Sequence, residues 1–143
     1  MEARIRQILE QYPELCYFGF IRVPTIKNQV LFSKEEQVKH EAMQEELFLH
    51  TDEVEYVVNW LSDVQKLKTI NHGYSSYRLK HIAEKTFPKG CIANGSFIAG
   101  AIIAGFSVQS AGFKAYFNMS GKSLKLKLKE KILEGVELET NIS

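Results

Sequence analysis

The amino-acid sequence predicts a mainly α domain of α+β class, with a small antiparallel β-hairpin or three-stranded sheet behind its helices. Apolar residues recur at helical spacing through much of residues 2–104, and the period then changes to two from Phe106. Glycine, proline and serine fall between these stretches as turn and capping residues. The chain has 143 residues, 45% of them hydrophobic and 24% charged, which suits one folded domain over 1–143 and argues against global disorder.

Residues 2–12 read as a helix with Ile5, Ile8 and Leu9 on one side, closed by Tyr12-Pro13 because a residue before proline disfavours the helical region. Residues 16–32 are aromatic and β-branched around Pro24, which suits an extended segment. Ser33-Lys34-Glu35-Glu36 has capping-box spacing, so a helix is expected to about His50. Thr51-Asp52 is expected to cap the next helix, 52–67, whose Val54, Val57, Val58, Leu61 and Val64 keep helical spacing. Ser75 or Ser76 caps a helix over 75–86 with Leu79, Ile82 and Ala83 inward. A further helix, 94–104, opens at Asn94 or Ser96 and is apolar on every side. Although residues 91–108 are strongly apolar, their uninterrupted part is too short for a bilayer and predicts a buried helix. Phe106-Ser107-Val108 and Ala115-Tyr116-Phe117 flank a turn at Ala111-Gly112. Residues 123–138 suit a third strand, from the Leu/Lys alternation, or a helix, from Ile132, Leu133 and Val136.

Charge is distributed unevenly. Net charge is +1, yet residues 1–65 carry −6, residues 66–131 carry +10 and residues 132–143 carry −3. A basic half on a neutral chain points to an anionic partner, although acidic and basic halves facing one another would leave the same imprint. The two cysteines, Cys16 and Cys91, form no C-x-x-C pair. Their sparse use fits a reducing compartment, the cytoplasm, with both as buried apolar fillers. The opening stretch holds Glu2, Arg4 and Arg6 and lacks the apolar run of a signal peptide.

Helices followed by a hairpin give residues 52–118 the order of a winged helix-turn-helix. Helix 94–104, however, has no Arg, Lys, Asn or Gln past Asn94 with which to read a base edge. The basic signal lies instead on helix 75–86, where Arg78, His81 and Lys85 share a face. Lys80 belongs to the same helix, and Lys66, Lys68, Lys89, Lys114 and Lys122 extend the basic surface. Such a surface suits phosphate contact more than sequence readout.

Other chemistry finds less support. His40, His50, His72 and His81 lack ligand spacing, so neither a metal nor a cofactor is expected. Gly121-Lys122-Ser123 resembles the end of a phosphate-binding loop, but Tyr116 stands where the upstream glycine is required. Residues 71–77, with His72, Tyr74 and Tyr77, either line a ligand site or pack helix ends; the serine caps favour packing. Without an acid–base pair or activated nucleophile, an enzyme ranks behind two binding readings. The first is non-enzymatic binding of DNA or RNA backbone by residues 66–131. The alternative is a protein-interaction or inhibitor module using the acidic N-terminal helices, with self-association as a further option; no membrane partner is expected.

A scattered pattern adds context: Lys68-Thr69-Ile70-Asn71, then Ser76-Tyr77-Arg78-Leu79-Lys80-His81 with Glu84, then Ile92-Ala93-Asn94-Gly95-Ser96-Phe97-Ile98-Ala99, then Gly105-Phe106. It resembles a group of short uncharacterised bacterial proteins carried on plasmids, prophages and gene cassettes. The resemblance covers roughly a third of the chain and ends with Ala115-Tyr116-Phe117-Asn118. It implies a mobile-element setting in bacterial cytoplasm and supplies no activity or site residues.

Overall fold

In the computed structural model, the described residues are 1–21, the backbone of 25–26 and 29–30, and 33–128. Helix α1 (Glu2–Gln11) leads into two short antiparallel hairpins, β1 (Leu15–Cys16) with β2 (Gly19–Phe20), and β3 (Thr25–Ile26) with β4 (Gln29–Val30). Helices α2 (Lys34–Leu49) and α3 (Thr51–Trp60) follow, then strand β5 (Lys66–Ser75), α4 (Ser76–Glu84) and α5 (Asn94–Ile103). Strands β6 (Val108–Ala111) and β7 (Lys114–Met119) form a hairpin, and the described residues 121–128 are helical, α6. The main sheet is antiparallel in the order β5-β7-β6, with β7 central. Helices and antiparallel strands together confirm the α+β class.

Local chemistry explains several boundaries. Ser33 Oγ accepts the Glu36 N–H at 3.2 Å and donates to Glu36 Oε1 at 3.0 Å, so α2 opens on the expected capping box. Ser75 Oγ caps α4 by accepting the Arg78 N–H at 3.2 Å. Ser120 does the same for α6, accepting from the Ser123 N–H at 3.3 Å. In the two-residue turn between β6 and β7, Gly112 has φ +64°, a conformation that glycine adopts without a Cβ clash.

The core is built around α5, in which the eight residues Asn94–Ala101 are all buried. It packs against α1, α3, α4, β2 and β7. Phe97 and Ile98 are fully enclosed, together with Ile5 of α1, Val54 and Val57 of α3, Leu79 of α4 and Phe117 of β7. Close approach is possible because Gly95 has no Cβ: one built there would overlap the carbonyl oxygens of Cys16 and Tyr17, and the Gly95 N–H donates to the latter at 2.9 Å. The expected buried helix is therefore present. No helix among the described residues is long and apolar enough to cross a membrane.

Other expectations are corrected. The helix placed over 52–67 ends at Trp60, and β5 begins at Lys66. Val64 is buried, but from the turn after the helix, so its helical spacing is coincidental. Thr51-Asp52 does not cap α3, whose N-cap, His50, makes no side-chain cap bond. Neither does Asn94 or Ser96 cap α5; the N-cap is Ala93, and both side chains are buried. Of the segment 123–138, residues 123–128 are helical and 129–138 lie outside the described residues. The Leu/Lys alternation fails as a strand signal because Leu124 is buried while Leu126 is exposed on the same helix. Cys16 is buried as expected, but Cys91 is exposed, standing in the loop before α5. Residues 22–32 of the extended segment are described only at the backbone of β3 and β4.

Candidate nucleic-acid interface

Helix α4 turns Leu79 and Ala83 into the core with Ile82 half-buried, leaving Arg78, His81 and Lys85 exposed. The Arg78 guanidinium lies over the Tyr74 ring, 4.8 Å from its centre, and donates to the Gly73 carbonyl at 3.2 Å. Lys80 behaves differently. Its ammonium is mostly covered and pairs with Glu84 Oε1 at 2.8 Å, while His81 Nδ1 lies 3.1 Å from Glu84 Oε2. Glu84 also accepts the Ile92 N–H at 3.2 Å. Burial alone would raise the pKa of this carboxyl, but Lys80, the Ile92 amide and His81 outweigh it and hold the pKa below the ordinary value.

Two further cations are paired within the fold. Lys89 binds Asp52, whose pKa is lowered chiefly by that hydrogen bond, and Lys127 meets Asp63 at 2.8 Å with its ammonium over the Trp60 ring. These pairs join the basic half to the acidic half, so part of the charge asymmetry is resolved internally. Lys66, Lys68, Arg78, Lys85 and Lys122 are exposed and Lys114 is half-buried, and these six make no ion pair among the described residues. Lys66 lies over the Phe106 ring at 5.3 Å.

The structure adds two exposed aromatic rings beside Lys114, Tyr77 and Phe113, and a third, Phe18, on the neighbouring turn. Phe113, at the tip of the β6–β7 hairpin, is 50% exposed; Tyr77 on α4 is 42% exposed and Phe18 in the β1–β2 turn is 60% exposed, although rings of this size ordinarily cover core. Tyr77 meets Phe113 edge-on at 5.9 Å, and the ammonium groups of Lys80 and Lys114 lie 5.1 and 6.0 Å from the Tyr77 ring centre. One buried side chain fastens the two turns. Asn94 Nδ2 donates to the carbonyls of Phe113 at 2.9 Å and Phe18 at 3.3 Å. The Phe20 N–H adds a bond to the Phe113 carbonyl at 3.1 Å.

Alternation along β7 puts Tyr116 on the same face as Lys114, opposite the buried Ala115 and Phe117. Tyr116 pairs across with Gln109, which is bonded to His72 at 2.9 Å, and the His72 and Tyr116 rings lie 5.3 Å apart. Residues 71–75 thus belong to a sheet edge; His72 and Tyr77 are exposed instead of packing helix ends, while Tyr74 is half-buried against the core beneath Arg78 at the start of α4. Sequence reading passed over Phe18, Phe113 and Tyr116. A bulky ring beside the turn glycine Gly112 is the one local signal that marks Phe113, since such a tip reaches away from the sheet.

The helix that a winged helix-turn-helix would lay in a groove corresponds to α5, which is enclosed by other elements and presents nothing to a base edge. Among the described residues, no group of three His, Cys, Asp or Glu side chains is placed to hold a metal ion. No protein-family model, curated protein or solved structure matches this chain.

Proposed function

We propose that this protein binds nucleic acid non-enzymatically through the phosphate backbone, using the cations of residues 66–122. The observation that carries the reading is that, among the described residues, Lys114 beside the exposed Tyr77 ring and Arg78 over the half-buried Tyr74 ring stand without carboxylate partners, while the basic residues with acidic neighbours are already neutralised. Phosphate contacts of this kind give affinity with little sequence preference. The mobile-element resemblance is compatible with such a role.

Fluorescence anisotropy of labelled DNA and RNA, titrated with protein at 50 and 200 mM salt, tests the proposal. Affinity falls steeply with salt, and Arg78→Glu with Lys114→Glu and Lys122→Glu removes it without unfolding the chain. Lys89→Ala and Lys127→Ala, whose cations are paired, change it little. Absence of salt-sensitive binding to either nucleic acid at low ionic strength refutes the proposal.

A second reading rests on α2, which exposes Val38 and Leu49 among Glu35, Glu41 and Glu45. That mixed apolar and acidic face suits a basic protein partner. Light scattering of the chain alone and with such a partner distinguishes it from the first reading.

A further inference from the structure

We infer that the nucleic acid bound is single-stranded, with unpaired bases stacking on Phe18 and Phe113 while the adjoining phosphates meet Lys114. This inference rests on the nucleic-acid reading and narrows it. A duplex turns its base faces inward and offers a protein its phosphates and groove edges. Groove edges are read by an inserted helix or ribbon carrying polar side chains. Here the helix at the corresponding place is buried, and the hairpin tip carries a phenylalanine. Exposed rings interleaved with cations are instead the arrangement that holds a single strand, because every base has a face to stack and every nucleotide a phosphate.

The support beneath these rings favours the same conclusion. Asn94 bonds the backbone carbonyls of Phe18 and Phe113 together, although Phe18 lies 76 residues away in the chain. Both rings are therefore carried on turns fixed before the ligand arrives, which lowers the ordering cost of binding. Tyr77 has a different part. It meets Phe113 edge-on and gathers the ammonium groups of Lys80 and Lys114 beside it, so cation and stacking surface are adjacent. Charge complementarity selects this occupant over a second copy of the chain, whose identical patch would bring Lys114 against Lys114 across a two-fold axis.

Anisotropy with a labelled fifteen-nucleotide oligothymidine and a duplex of equal length provides the test. The single strand binds at least about tenfold more tightly than the duplex at equal salt. Phe18→Ala and Phe113→Ala each weaken single-strand binding about tenfold while leaving duplex binding and salt slope unchanged, since stacking adds to the electrostatic contacts without replacing them. Both side chains are exposed, so the variants keep the wild-type melting curve. A strand carrying 2-aminopurine reports stacking directly, as a fluorescence change lost in the double variant. Equal affinity for strand and duplex, or a double variant that binds the strand like wild type, overturns this inference and leaves backbone binding intact. Sedimentation showing a dimer that the double variant dissolves also overturns it, assigning the patch to self-contact. Failure of the wild type to bind either form defeats the underlying reading as well.

Discussion

The hydroxyl of Ser76 donates to the carboxamide oxygen of Asn94 at 2.8 Å, in a site closed to solvent. Ser76 Oγ in turn accepts the Ala115 N–H at 2.9 Å, and Asn94 Nδ2 reaches the carbonyls of Phe18 and Phe113. Two polar side chains thus join α4, α5, β7 and the turns on which the exposed aromatic rings stand. A buried network is stabilising when its members are satisfied and costly when one is removed. Asn94→Ala should therefore cost about 3 kcal/mol, chiefly from the buried carbonyl and hydroxyl groups left without partners. Urea denaturation measures it, and a loss below about 1 kcal/mol would sink the argument.

Gly95 and Gly112 should respond differently to alanine. At Gly95 the new methyl group meets backbone oxygens of Cys16 and Tyr17, atoms that cannot turn aside, so Gly95→Ala should not accumulate as a folded protein. At Gly112 no heavy atom lies within 4 Å of the added Cβ, and the cost is that of a left-handed residue, about 1 kcal/mol. Thermal melts of the two purified variants settle the comparison. Equal stability would contradict the close approach of α5 to the β1–β2 turn.

Tyr17 should titrate late. Its hydroxyl donates to buried Glu53 Oε2 at 2.9 Å, and the ring stacks on His50 at 4.6 Å. Burial raises its pKa above the ordinary value of 10.0, and the bond to Glu53 and the charge of that carboxylate push it higher. A raised folded-state pKa gives a stabilising contribution that is complete below pH 10 and is lost as pH rises beyond it through the folded value. Absorbance at 295 nm should then show a component ionising after the ordinary range, and Tyr17→Phe should remove that component. The same substitution leaves Glu53 Oε2 unpaired at a cost of about 1–3 kcal/mol.

Glu84 supplies the opposite pH dependence. Lys80, the Ile92 amide and His81 together overcome the effect of burial and lower its pKa from 4.5. A depressed carboxyl contributes fully above pH 4.5, and that contribution is lost as pH falls through the lower folded value. Glu84→Gln should flatten the acid limb of a stability-against-pH curve and lower the plateau at neutral pH. An unchanged acid limb would show that the Lys80–Glu84–His81 group contributes nothing to acid sensitivity.

The burial of α5 predicts a graded response along one helix. Ile98 is fully enclosed, so Ile98→Asp places an unpaired carboxylate in the core and should unfold the protein. Ile102 is half-buried, and Ile102→Asp should yield a folded but weakened chain. Circular dichroism of both variants checks the order, which reverses if α5 faces the core with its C-terminal turn instead.

Much of the local structure is readable in the amino-acid sequence itself because its causes lie within a few residues. Ser33 and Glu36 state the start of α2, Ser75 the start of α4, and the apolar circumference of residues 94–104 the enclosure of α5. Gly112 marks the turn in the same way. Tertiary structure decided what depends on distant partners. Strand β5 hides from periodicity because its pairing with β7 shifts register between Lys66 and Asn71 and again between Asn71 and Ser75, which breaks the alternation that a regular strand displays. Which lysines remain available was only partly decided locally: Lys80 and Glu84 are an i,i+4 pair on one helix, whereas Lys89 reads like Lys114 in the sequence and only folding brings Asp52 beside it. The aromatic surface depends on longer range still. The turns that carry Phe18 and Phe113 are held together by the side chain of Asn94, and no local pattern encodes a hydrogen bond that closes a loop of 76 residues.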